Sequence, residues 1–82
     1  MIEIRSTYSG EYDSMKHLYN LYKSFNDKSY CSIIDSELRE PTDDSGYWEF
    51  YIWYIAKNKD SINKIDCEVY VYLNEKSKPN VI

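Results

Sequence analysis

The chain has 82 residues, enough for one domain, and it carries a net charge of −4 with a pI near 4.8. Its ten Lys and Arg are dispersed among 14 Asp and Glu, so it has no basic cluster of the kind that binds phosphates. Composition therefore argues against direct binding to nucleic acid or to an anionic membrane surface. No apolar run approaches the roughly 18 residues that a membrane-spanning helix needs.

Cysteine usage and the N-terminal residues bear on the cellular compartment. Residues 1–5 lack the basic and then apolar organisation of a signal peptide. The chain has two cysteines, whereas small secreted domains usually carry more and join them as disulfides. We therefore expect a cytoplasmic protein, or one in the host cytoplasm if a phage encodes it. Cys31 and Cys67 should be reduced and packed in the core.

The first half of the chain predicts a strand, a helix and a second strand. Residues 2–8 alternate between apolar and polar side chains, which is typical of a half-buried strand. Apolar residues then recur at spacings of three and four, which predicts an amphipathic helix over about residues 10–26. Residues 30–39 favour a second strand, and Pro41 excludes a central strand position just after it.

The second half predicts two further strands. Residues 47–57 give the strongest strand signal, and both faces are mainly apolar, which favours a central position in the sheet. We assign the uncharged face to the helix side; it consists of Trp48, Phe50, Ile52, Tyr54 and Ala56. After a polar connection, residues 66–73 alternate cleanly and predict a fourth strand. We expect residues 74–82 to form a mobile tail.

These elements predict a single α+β domain over residues 1–82. It would be a small, antiparallel-rich sheet in the order β-α-β-β-β, with one helix packed on one face. The last three strands would form an antiparallel meander. The uncovered face of the sheet would then carry Glu49, Tyr51, Trp53 and Ile55 of the third strand and Glu68, Tyr70 and Tyr72 of the fourth, and it would be available to a protein partner. Two interpretations other than a partner-binding site stay open. The rings could simply stabilise a half-exposed sheet, or a homodimer could cover them.

The net negative charge is concentrated in residues 35–49, which hold six carboxylates and one Arg. The carboxylates are Asp35, Glu37, Glu40, Asp43, Asp44 and Glu49. If the segment is extended, Asp35, Glu37 and Arg39 share one face at a spacing of about 6.6–6.8 Å. Phosphates on a DNA strand follow at a similar distance, so such a row could occupy a basic groove in their place. The alternative is an acidic turn that is only solvated.

The sequence offers no recognisable catalytic or metal-binding constellation. It has a single His, His17, and its two Gly cannot form a dinucleotide-binding or phosphate-binding loop. The two cysteines have no second pair to complete a zinc site, and the acidic segment does not follow the ligand order of a calcium loop. Acids on a loop also lack the walls that tune a pKa for acid–base catalysis. We predict a non-enzymatic protein without cofactor or metal.

In size, acidity and composition the chain is similar to small phage-encoded inhibitors of host defence, the class of anti-CRISPR and anti-restriction proteins. It is also similar to immunity proteins that neutralise nuclease toxins; neither similarity covers a motif. The first implies a non-catalytic inhibitor that blocks a basic, nucleic-acid-handling protein by partial nucleic-acid mimicry. An immunity protein or antitoxin, and a structural homodimer, are the alternatives. The predicted partner-binding residues are Asp35, Glu37, Glu40, Asp43, Asp44, Glu49, Tyr51, Trp53, Glu68, Tyr70 and Tyr72.

Overall fold

A computed structural model describes residues 1–77, which form a three-stranded antiparallel sheet and two helices. The elements are β1 (Ile2–Gly10), α1 (Tyr12–Asp27), β2 (Cys31–Arg39), β3 (Trp48–Ala56) and α2 (Lys59–Ser77). The strand order is β1-β3-β2, so β3 is central and pairs antiparallel with both neighbours. The α+β class and the central position of β3 are confirmed.

The predicted fourth strand is wrong, because residues 66–73 lie within α2. The element order is therefore β-α-β-β-α, and the predicted meander of three strands does not form. The same segment carries a helical repeat at Ile62, Ile65 and Val69, and the last two of these side chains are buried in the core. Burial of this helical face outweighs the strand propensity of the β-branched and aromatic residues around it.

The start of α2 is fixed by a capping residue within the predicted polar connection. The side-chain Oδ1 of Asn58 accepts a hydrogen bond from the backbone N–H of Ser61 at 2.9 Å. This bond satisfies one of the N–H groups that the first helical turn leaves without a partner. Asp60 lies in the same turn, where a negative charge is favourable. The connection between β3 and α2 therefore has only two residues, fewer than the sequence predicts.

The core lies between one face of the sheet and both helices. The buried residues are Met15, Leu18, Tyr22 and Phe25 of α1, Cys31 of β2, Phe50, Ile52, Tyr54 and Ala56 of β3, and Ile65 and Val69 of α2. Because they form a single cluster, both helices pack on the same side of the sheet. The assignment of the uncharged face of β3 to the helix side is confirmed. Within residues 1–77, no helix or strand covers the other side.

Tyr22 is the centre of the aromatic part of this core. Its ring centroid lies 5.5–6.4 Å from those of four other rings, which belong to Tyr8, Phe25, Phe50 and Tyr54. These distances are typical of favourable aromatic pairs, each of which adds about 0.5–1.5 kcal/mol to the effect of burial. The rings connect α1 to β1 and β3, so they hold the sheet at a fixed position under the helix.

The C-terminal residues divide into two groups. Residues 74–77 complete α2, whereas the rest of the expected tail, residues 78–82, lies outside the described residues. Neither helix in the described part of the chain is long and apolar enough to cross a membrane.

Candidate binding face

The side of the sheet without helices is a continuous surface that we call the open face. It is formed by Glu3, Arg5, Thr7 and Ser9 of β1, by Glu49, Tyr51, Trp53 and Ile55 of β3, and by Ser32, Asp35, Glu37 and Arg39 of β2. The structure thus has the uncovered face that the sequence predicts, but a different strand completes it. The polar side of β1 occupies the place of the predicted fourth strand.

A bulge in β2 decides which residue of that strand lies opposite Trp53. Ile33 pairs with Tyr54, but the next pair joins Asp35 to Trp53, so Ile34 is an extra residue without a partner on β3. Ile34 is 43 % exposed. Asp35, Glu37 and Arg39 then share the open face, as expected for an extended segment. If Ile34 paired with Trp53 in a regular ladder, the carboxylates of β2 would instead point toward the core.

Trp53 is held on the open face by two residues of β1. Its Nε1–H donates a hydrogen bond to Glu3 Oε1 at 2.7 Å. The guanidinium carbon of Arg5 lies 4.0 Å from the ring centroid, and Arg5 Nη2 lies 3.2 Å from the same Glu3 oxygen. One carboxylate thus positions both the indole and the cation that stacks on it. Asp35 is the register partner of Trp53 on β2.

Tyr51 repeats this arrangement with residues of β2. The guanidinium carbon of Arg39 lies 5.3 Å from the Tyr51 ring centroid, and Arg39 Nε lies 3.1 Å from Glu37 Oε2. Cation–π contacts at exposed sites contribute about 0.5–1 kcal/mol, and exposed ion pairs contribute about 0–1 kcal/mol. The contacts between each arginine and its ring are therefore weak in free energy. The rings are half-buried, less exposed than the sequence suggests.

The loop between β2 and β3, residues 40–47, extends the open face and is called the acidic loop. Asp43 accepts hydrogen bonds from the backbone N–H and the hydroxyl of Ser45. These bonds to its charged form lower the pKa of the Asp43 carboxyl. Gly46, with φ of 75°, allows the backbone turn that leads into β3.

The acidic loop folds against one end of the open face. A shallow cavity of about 260 Å³ lies between them; its lining consists of Ser9, Thr42, Asp43, Ser45, Tyr47 and Glu49. The structure therefore brings together Asp43 and Glu49. Glu40 and Asp44 are exposed in the same loop. Loop and open face form one acidic surface, of which Trp53 and Tyr51 are the aromatic centre.

Three predicted site residues lie elsewhere, because the segment that carries them is helical. Glu68, Tyr70 and Tyr72 belong to α2, on the other side of the sheet, so their predicted place on the uncovered face is wrong. Tyr72 stacks on His17, with ring centroids 3.9 Å apart and planes 9° apart. Tyr70 is 69 % exposed on the helix surface. Glu68 lines a groove between α1 and α2.

Sequence reasoning missed Glu3 and Arg5 as members of the site. The alternation of residues 2–8 already places both on the polar side of their strand. Their contact with Trp53, however, joins positions about 50 residues apart along the chain. No local pattern indicates which strand will pair with β1, and this information was needed to place them.

Charge is distributed very unevenly between the two sides of the molecule. The open face and acidic loop hold seven carboxylates and two arginines, a net charge of −5. The carboxylates are Glu3, Asp35, Glu37, Glu40, Asp43, Asp44 and Glu49. The other charged side chains that the structure describes, within residues 1–75, are six Lys and seven Asp or Glu, a net charge of −1. The negative electrostatic potential is therefore concentrated at the open face and the acidic loop.

Comparisons with protein-family models, with curated proteins and with solved structures found no match. The described residues contain no group of three or more His, Cys, Asp or Glu that could hold a metal ion.

Proposed function

We propose that this protein is a small, acidic, non-catalytic inhibitor that binds a basic, nucleic-acid-handling protein through its open face and acidic loop. The observation that carries the proposal is the separation of charge: the open face and acidic loop carry −5, whereas the other described side chains sum to −1. A molecule with this asymmetry is oriented by a basic cleft before contact, which raises the rate of association.

The chemistry of the open face supports partial mimicry of a nucleic acid. Asp35 and Glu37 point from the same side of β2 and are separated by two residues, about 6.6–6.8 Å along the strand. The row continues into the exposed acids of the loop. Trp53 and Tyr51, with two arginines beside them, add the residue types that contribute most at protein interfaces.

The size of the surface indicates that the acidic loop takes part in binding. Three strands of nine residues present a face of roughly 14 by 30 Å, or about 400 Å². This is about half of the ~800 Å² that each partner buries in a standard interface. The acidic loop, which adjoins the Glu49 end of β3, supplies further area with the same charge.

Two alternatives differ from this proposal in the partner. An immunity protein or antitoxin would use the same surface against a cognate nuclease toxin, and a toxin gene beside this one would favour it. A homodimer through the open face would place two surfaces of charge −5 against each other, which is unfavourable at low ionic strength. Light scattering across micromolar concentrations distinguishes the homodimer, because the proposed inhibitor is a monomer on its own.

The decisive experiment is affinity capture from a host lysate with three forms of the tagged protein. The first is the parent, and the second carries Asp43→Lys and Asp44→Lys in the acidic loop. The third carries Asp27→Lys and Glu75→Lys, an equal change of charge on the helical side. Both control positions lie near helix C-termini, where Lys is favourable to the helix dipole.

We expect the parent and the helix-side variant to retain the same basic protein, and the loop variant to lose it. An added DNA or RNA oligonucleotide should displace the retained protein, and the parent should inhibit its activity on nucleic acid. Equal retention by all three forms, or retention that nucleic acid does not affect, would contradict the proposal.

A further inference from the structure

The two arginines of the open face show how this surface holds a guanidinium group. In each case the guanidinium lies over an aromatic ring of β3 and is paired with a carboxylate two residues earlier on its own strand. Glu3 and Arg5 form this pair over Trp53, and Glu37 and Arg39 form it over Tyr51. The arrangement occurs twice, on opposite edges of the sheet, with the same chemistry.

Each of these rings has a second carboxylate beside it. Asp35 lies directly across from Trp53, on the strand opposite Arg5. Glu49 lies two residues before Tyr51 on the same face of β3. Among residues 1–77, neither carboxylate has an ion-pair or side-chain hydrogen-bond partner. The open face thus offers two more positions where a carboxylate and a ring could hold a guanidinium from another molecule.

We propose that the partner presents two arginine side chains, one to Asp35 and Trp53 and the other to Glu49 and Tyr51. This inference rests on the proposed function and defines the chemistry of its partner. The two carboxylates, Asp35 and Glu49, are four residues apart along the sheet and one strand apart across it, because Asp35 is opposite Trp53. They are therefore separated by about 14 Å, which an extended segment spans with arginines at positions i and i+4.

Arginine rather than lysine fits these positions for a geometric reason. A guanidinium is planar, stacks on an aromatic face and can bind a carboxylate through two parallel hydrogen bonds. An ammonium group is a compact, strongly hydrated charge and gains less from a ring beside it. A difference of about 0.5–1 kcal/mol at one site corresponds to roughly a two- to five-fold difference in affinity.

The test uses two synthetic seven-residue peptides as probes. One has arginines at its second and sixth positions with glycine and serine elsewhere, and the other has lysines at the same positions. Each peptide is titrated into ¹⁵N-labelled protein, and binding is measured by NMR from the chemical shifts of the two tryptophan indole N–H signals. Trp53 lies on the open face and Trp48 on the helix side, so the second signal is an internal control.

We expect the arginine peptide to shift the Trp53 indole signal and the amide signals of Asp35 and Glu49, with an affinity at least about two-fold above that of the lysine peptide. Asp35→Asn with Glu49→Gln should abolish this preference. The matched pair Asp27→Asn with Glu75→Gln, on the helical side, should retain it. Equal affinity for both peptides, or shifts centred on α1 and α2, would overturn the inference.

The same variants separate this inference from the proposed function. If Asp35→Asn with Glu49→Gln still captures the basic partner, and the peptides bind equally, arginine recognition fails while inhibition through the acidic loop stands. If the arginine peptide is preferred but no basic protein is captured from lysate, the proposed function fails while the guanidinium positions stand.

Discussion

The hydroxyl groups of Tyr8 and Tyr22 form a hydrogen bond of 2.9 Å that joins β1 to α1. Tyr22 is fully buried and Tyr8 is half-buried. The two ends of the bond are therefore not equivalent. A hydroxyl on Tyr8 can reach water if its partner is removed, whereas a hydroxyl on Tyr22 cannot.

This asymmetry predicts the outcome of a double-mutant cycle. Tyr22→Phe should lower the free energy of unfolding by about 0.5–1.5 kcal/mol, the net worth of a hydrogen bond. Tyr8→Phe should cost more, about 1–3 kcal/mol, because it leaves a buried hydroxyl without a partner. The double variant should cost less than the sum of the two. Urea unfolding measures all three values, and strict additivity would contradict the prediction.

Alkaline pH should destabilise the protein through its buried phenols. Burial raises the pKa of both Tyr22 and Tyr54, whereas a tyrosine in the unfolded chain titrates near its usual value of about 10. Below that pH both states are protonated and the contribution to stability is complete. Above it the unfolded chain loses protons that the folded chain keeps, so stability falls by up to about 1.4 kcal/mol per pH unit for each tyrosine.

The measurement is the urea midpoint between about pH 8 and pH 12. Tyr54→Phe should reduce the slope above pH 10, since one of the two phenols is gone. Tyr70→Phe is the matched control, since it removes the same hydroxyl from an exposed position. Indistinguishable slopes for the parent and Tyr54→Phe would show that this buried phenol does not control the alkaline transition.

Two valines of α2 distinguish the helix from the strand that the alternation suggested. On a strand, Val69 and Val71 would share one face, but in the helix Val69 is 4 % exposed and Val71 is 47 % exposed. Val69→Ala should therefore cost about 2 kcal/mol, from lost burial and the cavity left behind. Val71→Ala should stay within about 0.5 kcal/mol of the parent. Equal losses in thermal or urea unfolding would favour the strand.

The two cysteines should differ in reactivity toward a thiol reagent such as a disulfide dye. Cys31 is 5 % exposed, and burial raises the pKa of its thiol, so little of the reactive thiolate is available. Cys67 is exposed on α2, which corrects the expectation that it packs in the core. One thiol should react quickly, and Cys67→Ser should remove that phase. Cys31 should react only as the protein unfolds.

Four of the five elements described in residues 1–77 could be predicted from local sequence. Residues 2–8 alternate and residues 10–26 repeat every three to four positions, whereas residues 30–39 and 47–57 are identified by their β-branched and aromatic residues. The segment that forms α2 satisfies both patterns, since Val69, Val71 and Leu73 alternate while Ile62, Ile65 and Val69 are spaced for a helix. Only the surface available in the folded core decides between them.

The site was predictable where it depends on one segment and not where it depends on pairing. Asp35, Glu37 and Glu49 lie on the open face, together with both predicted rings of β3. The contribution of β1 depends on its antiparallel alignment with β3. This alignment brings Glu3 into contact with Trp53, although the two residues are 50 positions apart in the sequence. This alignment is a property of the folded sheet and has no local signature.

The single unpaired residue at Ile34 has a wider implication for how this protein could change. Deleting that isoleucine would place Ile33 and Asp35 in direct succession opposite Tyr54 and Trp53, so the ladder would become regular and the later residues of β2 would keep their faces. If position 34 instead paired with Trp53, every later residue of β2 would move by one position, so Leu38 would face solvent and the carboxylates would face the core. The charge that β2 presents therefore depends on one backbone irregularity as much as on the acidic residues themselves.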